Sequence, residues 1–215
     1  MNDLLIIIFQ LIVLIFSVMV HEVSHGALAL RLGDTTAKDA GRLTLNPIKH
    51  IDPLGSVIIP LVLIIPQLFG ISGPIFGWAK PVPYNPYNLK NPKKGAGIIA
   101  AAGPVSNLLI AGIFGIILRG IGFFPEVVSL ELVILINIVI FINVLLAVFN
   151  LLPIPPLDGS GILFALLPTK YHAVQQFLSQ HGFMILLFFI FFGFRLIMPI
   201  IEFLYVLFAG SAAIL

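Results

Sequence analysis

From Leu4 to Val20 every position is apolar except Gln10 and Ser17, and the run continues without a proline through His21-Glu22-Val23-Ser24-His25-Gly26 to Leu32. A helix rises about 1.5 Å per residue, so roughly 20 such residues cross a hydrocarbon core of about 30 Å. A first span over about 4–30 therefore places His21 and His25 near its exit end. Two later runs have the same character. One covers 95–121 and opens with small residues (GAGIIAAAGP) that let another helix approach closely. The other covers 132–152, carries Asn137, Asn143 and Asn150, and is stopped by Pro153, Pro155 and Pro156. Between them, Phe123 to Glu131 reads as a short acidic turn. A last apolar stretch from Phe183 to Leu215 holds Arg195, Pro199 and Glu202. It predicts a helical region over about 183–208, either kinked or followed by a re-entrant tail.

The remaining segments are mixed. Leu54 to Ile71 is apolar but contains Gly55, Pro60, Pro66 and Gly70, which predicts a re-entrant segment or short membrane helix over 54–71. Gly33 to Pro53 is polar, and the alternation Arg42-Leu43-Thr44-Leu45 suggests a small strand near the surface. Ser72 to Lys94 reads as loop or extended chain, with five prolines from Pro74 to Pro92 and with Trp78 and two tyrosines suited to a membrane interface. The stretch AKPVPYNPYNL within it is either a plain proline-rich loop or an edge able to pair with an unwound peptide.

Composition settles the class. The chain is 60% hydrophobic and 9% charged, against roughly 25% charged in a soluble domain, and no globule of this size buries so many apolar side chains. An all-α polytopic membrane protein follows, one membrane-embedded domain over 1–215 with the lipid bilayer as its solvent. A free soluble enzyme, a nucleic-acid binder and a disordered chain are excluded. The absence of Cys removes disulfides, thiolate ligands and a cysteine nucleophile, leaving His, Asp and Glu for any metal. Arg31, Lys38, Arg42 and Lys49 precede the doubtful segment and Lys80, Lys90, Lys93 and Lys94 follow it, while Glu126 and Glu131 fall in the acidic turn. The positive-inside rule then puts both basic stretches in the cytoplasm.

His21-Glu22-Val23-Ser24-His25 is an HExxH sequence on a helix. The i, i+4 spacing puts both imidazoles on one face, able to hold a single Zn²⁺, with Glu22 beside them to deprotonate a water. Such residues in a span cost about 2.5–3.5 kcal/mol per charge at mid-bilayer, which argues for partners. A catalytic zinc usually takes three protein ligands. Asp158, just beyond the proline-broken span, is the best candidate for the third, and His50 is its rival. Pro-Leu-Asp-Gly is otherwise only a turn. Asn143 and Asn150 lie on nearly one helix face and can serve as packing glue, and Gly103-Pro104 is either a kink or a first turn. His172 and His181 read as surface histidines.

HEVSHG followed much later by FNLLPIPPLDG resembles the site-2 protease family of intramembrane zinc metalloproteases, with Asn150, Pro153, Pro155, Pro156, Asp158 and Gly159 matching the second motif. GPVSN, Gly103 to Asn107, resembles the motif on the family's intervening helix. The resemblance implies Zn²⁺ held by His21, His25 and Asp158, Glu22 as base, and Asn150 near the reacting carbonyl. It implies cleavage of a transmembrane protein substrate, and with the charge pattern an active site toward the cytoplasmic side of the cell membrane. No PDZ domain is legible, so the chain resembles the compact members. The rivals are an inactive zinc-containing membrane binding protein, against which Glu22 argues, and a metal-ion transporter, which would spread its ligands through several spans.

Overall fold

The computed structural model of the chain describes residues 3–69, 77–121, 129–210 and 213–214. Its helices, in chain order, are α1 (Asp3–Arg31), α2 (Thr36–Asp39), α3 (Ile59–Leu68), α4 (Pro92–Ile121), α5 (Leu130–Asn150), α6 (Asp158–Leu166), α7 (His172–Phe188) and α8 (Met198–Ala209). Among the described residues four helical stretches are long and apolar enough to cross a membrane: Leu4–Arg31, Pro92–Ile121, Leu130–Asn150 and Thr169–Leu196. The architecture is all-helical and polytopic. Residues 122–128, which hold Glu126 and most of the acidic turn expected from Phe123 to Glu131, lie outside the described residues, as do residues 70 and 71 of the segment expected to re-enter, while Glu131 falls in the first turn of α5.

α1 and α4 meet along matching four-residue ridges. On α1 Val13, Ser17, His21, His25 and Ala29 form one buried row; on α4 Gly95, Ile99, Gly103, Asn107, Ala111 and Gly115 form another. Ridges of this spacing pack into the grooves of a neighbouring helix, and Gly103 of α4, where a Cβ would overlap the His21 and His25 rings, lets the two helices approach. A second contact joins Ile136, Ile140, Val144 and Val148 of α5 to Ile197, Ile201, Tyr205 and Ala209 at α8. Lipid tails are as apolar as these side chains, so packing and polar bonds carry the association. The Tyr205 hydroxyl donates to Asn137 Oδ1 inside this contact.

The C-terminal helical stretch expected over about 183–208, either kinked or followed by a re-entrant tail, is broken, and it starts earlier than expected. Helix begins at His172, because the polar stretch Gln175 to His181 is made of residues that tolerate a helix well. It then passes through a π-helical turn, Phe189–Gly193, and a 3₁₀ turn, Phe194–Leu196, before restarting as α8 with Pro199 in its first turn. Phe194 meets Phe149, and Tyr205 meets Phe141, so residues 194–205 run antiparallel to α5.

Beyond the exit end of α1 two polar segments are tied together. Buried Asp34 accepts hydrogen bonds from Thr36 N (3.2 Å), Thr36 Oγ1 (2.6 Å), Asn85 N (2.7 Å) and Asn88 Nδ2 (2.7 Å). Burial alone would raise its carboxyl, but these donors outweigh that and hold it below the usual carboxylate range. The small strand expected at Arg42–Leu45 is not formed, and no strand occurs among the described residues. Arg42 N instead closes the turn after α2 on Ala37 O (2.9 Å), and its guanidinium reaches across to Lys80 O (2.7 Å). Burial there does not follow the alternation: Arg42 is buried, Leu43 and Thr44 are intermediate and Leu45 is exposed.

A π-helical stretch, Pro53–Ile58, leads into α3. Trp78 N donates to Gly55 O (3.1 Å), Ser56 Oγ donates to Trp78 O (2.8 Å), and Lys80 N donates to His50 O (2.8 Å). The chain leaves near residue 56 and is back at the same place by residue 78. The Trp78 ring lies so close over Gly55 that any Cβ there would overlap it.

Candidate metal centre

His21 and His25 sit one turn apart on the buried ridge of α1, and the start of α6 brings Asp158 to them. His21 Nε2 lies 2.9 Å and His25 Nε2 3.3 Å from the same oxygen, Asp158 Oδ2. Among the described residues these three are the group whose donor atoms converge as metal ligands would, all within 4.8 Å of one another. The delivery of Asp158 follows from the prolines. Pro153, Pro155 and Pro156 cannot continue α5, and the chain turns back and restarts as helix at Asp158. A Cβ on Gly159 would overlap Leu151 O, so glycine is what lets the start of α6 seat against the end of α5.

The proton positions on both imidazoles follow from backbone carbonyls. His25 Nδ1 lies 2.7 Å from Ile99 O, which can only accept, so Nδ1 carries a proton and, in the neutral imidazole that a metal would bind, Nε2 a lone pair. For His21 the reasoning runs through two asparagines. Asn143 Nδ2 donates to Val139 O (2.9 Å) and to Ser17 Oγ (2.9 Å), which leaves Asn143 Oδ1 to accept from Asn107 Nδ2 (2.9 Å). Asn107 must then present its oxygen to His21 Nδ1, 2.6 Å away. His21 Nδ1 is the donor, and its Nε2 also carries a lone pair.

Three lone-pair atoms thus face one another, and Asp158 Oδ2 is buried without a hydrogen-bond donor. Such a cluster is repulsive unless a cation lies within it. Donors about 2.0–2.1 Å from a tetrahedral zinc stand about 3.3 Å apart, and the two Nε2–Oδ2 spacings, 2.9 and 3.3 Å, lie near that. Two imidazoles and one carboxylate, with an outer layer that orients the imidazoles, are a donor set that fits zinc. Gly103 covers the same spot from α4. A Cβ there would overlap His21 Nε2 and lie 2.5 Å from His25 Nε2.

Glu22 is half-buried beside the cluster, and its Oε2 accepts the N–H of Val82 at 2.9 Å. Tyr84, two residues on, also faces the site: burial and then the charge of Asp158 push its phenol up. Asn150, the last residue of α5, donates through Nδ2 to Leu146 O of its own helix (2.9 Å), which leaves one amide hydrogen. His50 is not among the converging ligands; it is buried apart, with Nε2 on Thr44 O (2.9 Å). His172 and His181 are exposed. Pro104 lies well inside α4, so Gly103-Pro104 is not a first turn. The sequence reading missed Asn107 and Ser17 as supports of His21, and treated Asn143 as glue. Ser17 stands four residues before His21, and that spacing on one face was the available signal.

The comparisons with known proteins bear on the same residues. The model of "Peptidase family M50" matches residues 121–189, a stretch that holds Asn150 and Asp158. "Putative zinc metalloprotease YwhC" of Bacillus subtilis (strain 168) is 37% identical over 195 residues, covering 83% of this chain and 78% of that protein. The chain belongs to peptidase family M50. This is the site-2 protease family whose motifs the sequence displays. A second relative, "Putative zinc metalloprotease Rip2" of Mycolicibacterium smegmatis (strain ATCC 700084 / mc(2)155), is 31% identical over 185 residues, covering 80% of this chain and 62% of its own length. No solved structure matches the chain. Membership of M50 and the four long apolar helices together make this an integral membrane protein.

Proposed function

We propose that this M50 member is a zinc-dependent intramembrane endopeptidase that cleaves transmembrane segments of other membrane proteins. The observation that carries the reading is the convergence of His21 Nε2, His25 Nε2 and Asp158 Oδ2, with lone pairs inward, next to Glu22 at the end of a membrane helix. His21, His25 and Asp158 would hold the metal, with Asn107 and Ile99 O fixing the imidazoles. Bound zinc supplies Lewis acidity, polarising a carbonyl and acidifying a water. Glu22 takes the proton of the attacking water and returns it to the leaving amine. The remaining amide hydrogen of Asn150 donates to the developing oxyanion. A helical substrate unwinds locally first, because its scissile carbonyl is otherwise held in the helix. Purified protein in vesicles with a transmembrane substrate is expected to cleave it, to stop on chelation and to resume on added zinc. Cleavage indifferent to chelation would refute a metalloprotease, and ion flux without cleavage would select the transporter.

The site opens toward the cytoplasm in this reading, and the segment from Pro53 dips into the bilayer and returns on the same side. The bonds of Trp78 and Lys80 to Gly55 and His50 support this, since they bring both ends of the segment together. Parity agrees: His21 and Asp158 meet after α1, α4 and α5, an odd number of crossings that allows no further one between them. Single cysteines at Lys38, Tyr87 and Leu130, all exposed, test it without background because the chain has no native Cys. An impermeant maleimide is expected to label Leu130→Cys in intact cells, and Lys38→Cys and Tyr87→Cys only after permeabilisation. Labelling of Lys38→Cys and Tyr87→Cys from opposite sides would show that the segment crosses.

A further inference from the structure

Glu22 is held from outside its own helix, by a backbone N–H sixty residues along the chain. The donor, Val82, stands between Pro81 and Pro83. Neither proline has an N–H, and a residue that precedes proline is confined to extended backbone. Pro-Val-Pro therefore presents a single donor in a nearly fixed direction, and Glu22 Oε2 receives it at 2.9 Å.

The segment around this donor is anchored on both sides. Lys80 N bonds to His50 O (2.8 Å), and Asn85 N bonds to Asp34 Oδ2 (2.7 Å). The Val82 side chain is buried against Gly26, one turn beyond Glu22, where a Cβ would come within 2.8 Å of Val82 Cγ1. Arg42 completes the anchorage. It is 7% exposed, and its Nη2 lies on Lys80 O (2.7 Å) and Pro81 O (3.4 Å), the two carbonyls that lead into Val82. Burying a guanidinium is costly, and here it is devoted to holding that backbone in place.

We propose that the Val82 N–H is the positioning group for Glu22, holding one carboxylate oxygen so that the other serves the attacking water, and that Arg42 keeps this donor in place. Chemistry gives the tether a purpose. A carboxylate free to swing beside a divalent cation would ligate it and fill the position that a catalytic site keeps open. The inference rests on reading Glu22 as the base.

Val82→Pro removes the N–H and preserves the extended backbone. Cleavage of a transmembrane substrate in vesicles is expected to show kcat lowered about 10–100-fold with KM and bound zinc retained. Val82→Ala keeps the donor and trims the side chain, and should remain at least about tenfold more active than Val82→Pro. Arg42→Gln, which leaves the Pro-Val-Pro unit intact, should reproduce the kcat loss with zinc retained. Thermal melts read the contact without activity: Val82→Pro disturbs the buried Val82 side chain in any background, so it should lower Tm more in the parent than in a Glu22→Ala background, where there is no carboxylate to hold. Val82→Pro turning over as fast as Val82→Ala, or lowering Tm equally in both backgrounds, overturns the positioning role. If Val82→Pro does not fold, Arg42→Gln at the parent rate overturns it equally. Glu22→Gln at the parent rate would overturn the base reading itself, which separates the two failures.

Discussion

Alanine at Gly103 is expected to empty the metal centre and abolish cleavage while leaving the protein folded. The added methyl group would overlap His21 Nε2 and stand 2.5 Å from His25 Nε2, the two atoms proposed to bind zinc. Neither imidazole has room to retreat, because His21 Nδ1 is held by Asn107 at 2.6 Å and His25 Nδ1 by Ile99 O at 2.7 Å. Helix propensity predicts the opposite sign, since alanine stabilises a helix interior over glycine by roughly 0.8–1 kcal/mol. A loss of zinc in a well-folded Gly103→Ala protein is thus attributable to the site. Gly120→Ala is the control, because a Cβ there meets nothing within 4 Å. Elemental analysis beside a thermal melt checks both variants. Full zinc in Gly103→Ala would place the metal away from the Nε2 face.

The parts of this molecule legible in its sequence are those with a local cause. Leu4–Val20, 95–121 and 132–152 are uninterrupted apolar runs, and an apolar run in a bilayer has little alternative to helix. HExxH fixes two imidazoles on one face by helix geometry, and three prolines after Asn150 force the return that delivers Asp158. What the sequence left open depends on tertiary partners. A polar residue inside a span announces that it needs a partner without saying which, so Asn107, Asn143 and Ser17 could not be joined to His21 beforehand. The alternation at Arg42–Leu45 resembles a strand, but Arg42 is committed to carbonyls at Ala37 and Lys80, partners that a local pattern does not reveal. The last apolar stretch allows a kink, but its place near Gly193 and the start of α7 at His172 were hidden by hydropathy, which reads apolar length and not the helix-forming capacity of glutamine. The bond from Val82 is made by the backbone, and its trace in the sequence is a pair of prolines.

Replacing Glu22 by Gln and Asp158 by Ala should separate chemistry from metal binding. Glutamine keeps the shape of Glu22 and an oxygen able to accept the Val82 N–H, yet it cannot take up the proton of a water. General acid–base catalysis is worth about 10²–10⁴-fold, so Glu22→Gln should lose at least that much in rate. Asp158→Ala removes the anionic ligand that faces both imidazoles at 2.9 and 3.3 Å, and should lose zinc and activity together. The most direct measurement is zinc per chain beside single-turnover cleavage in Glu22→Gln, with Asp158→Ala in parallel. About one zinc per chain in Glu22→Gln with cleavage lost, and little zinc in Asp158→Ala, is the result expected of one catalytic zinc. Cleavage by Glu22→Gln at the parent rate, or zinc and activity both intact in Asp158→Ala, would contradict it.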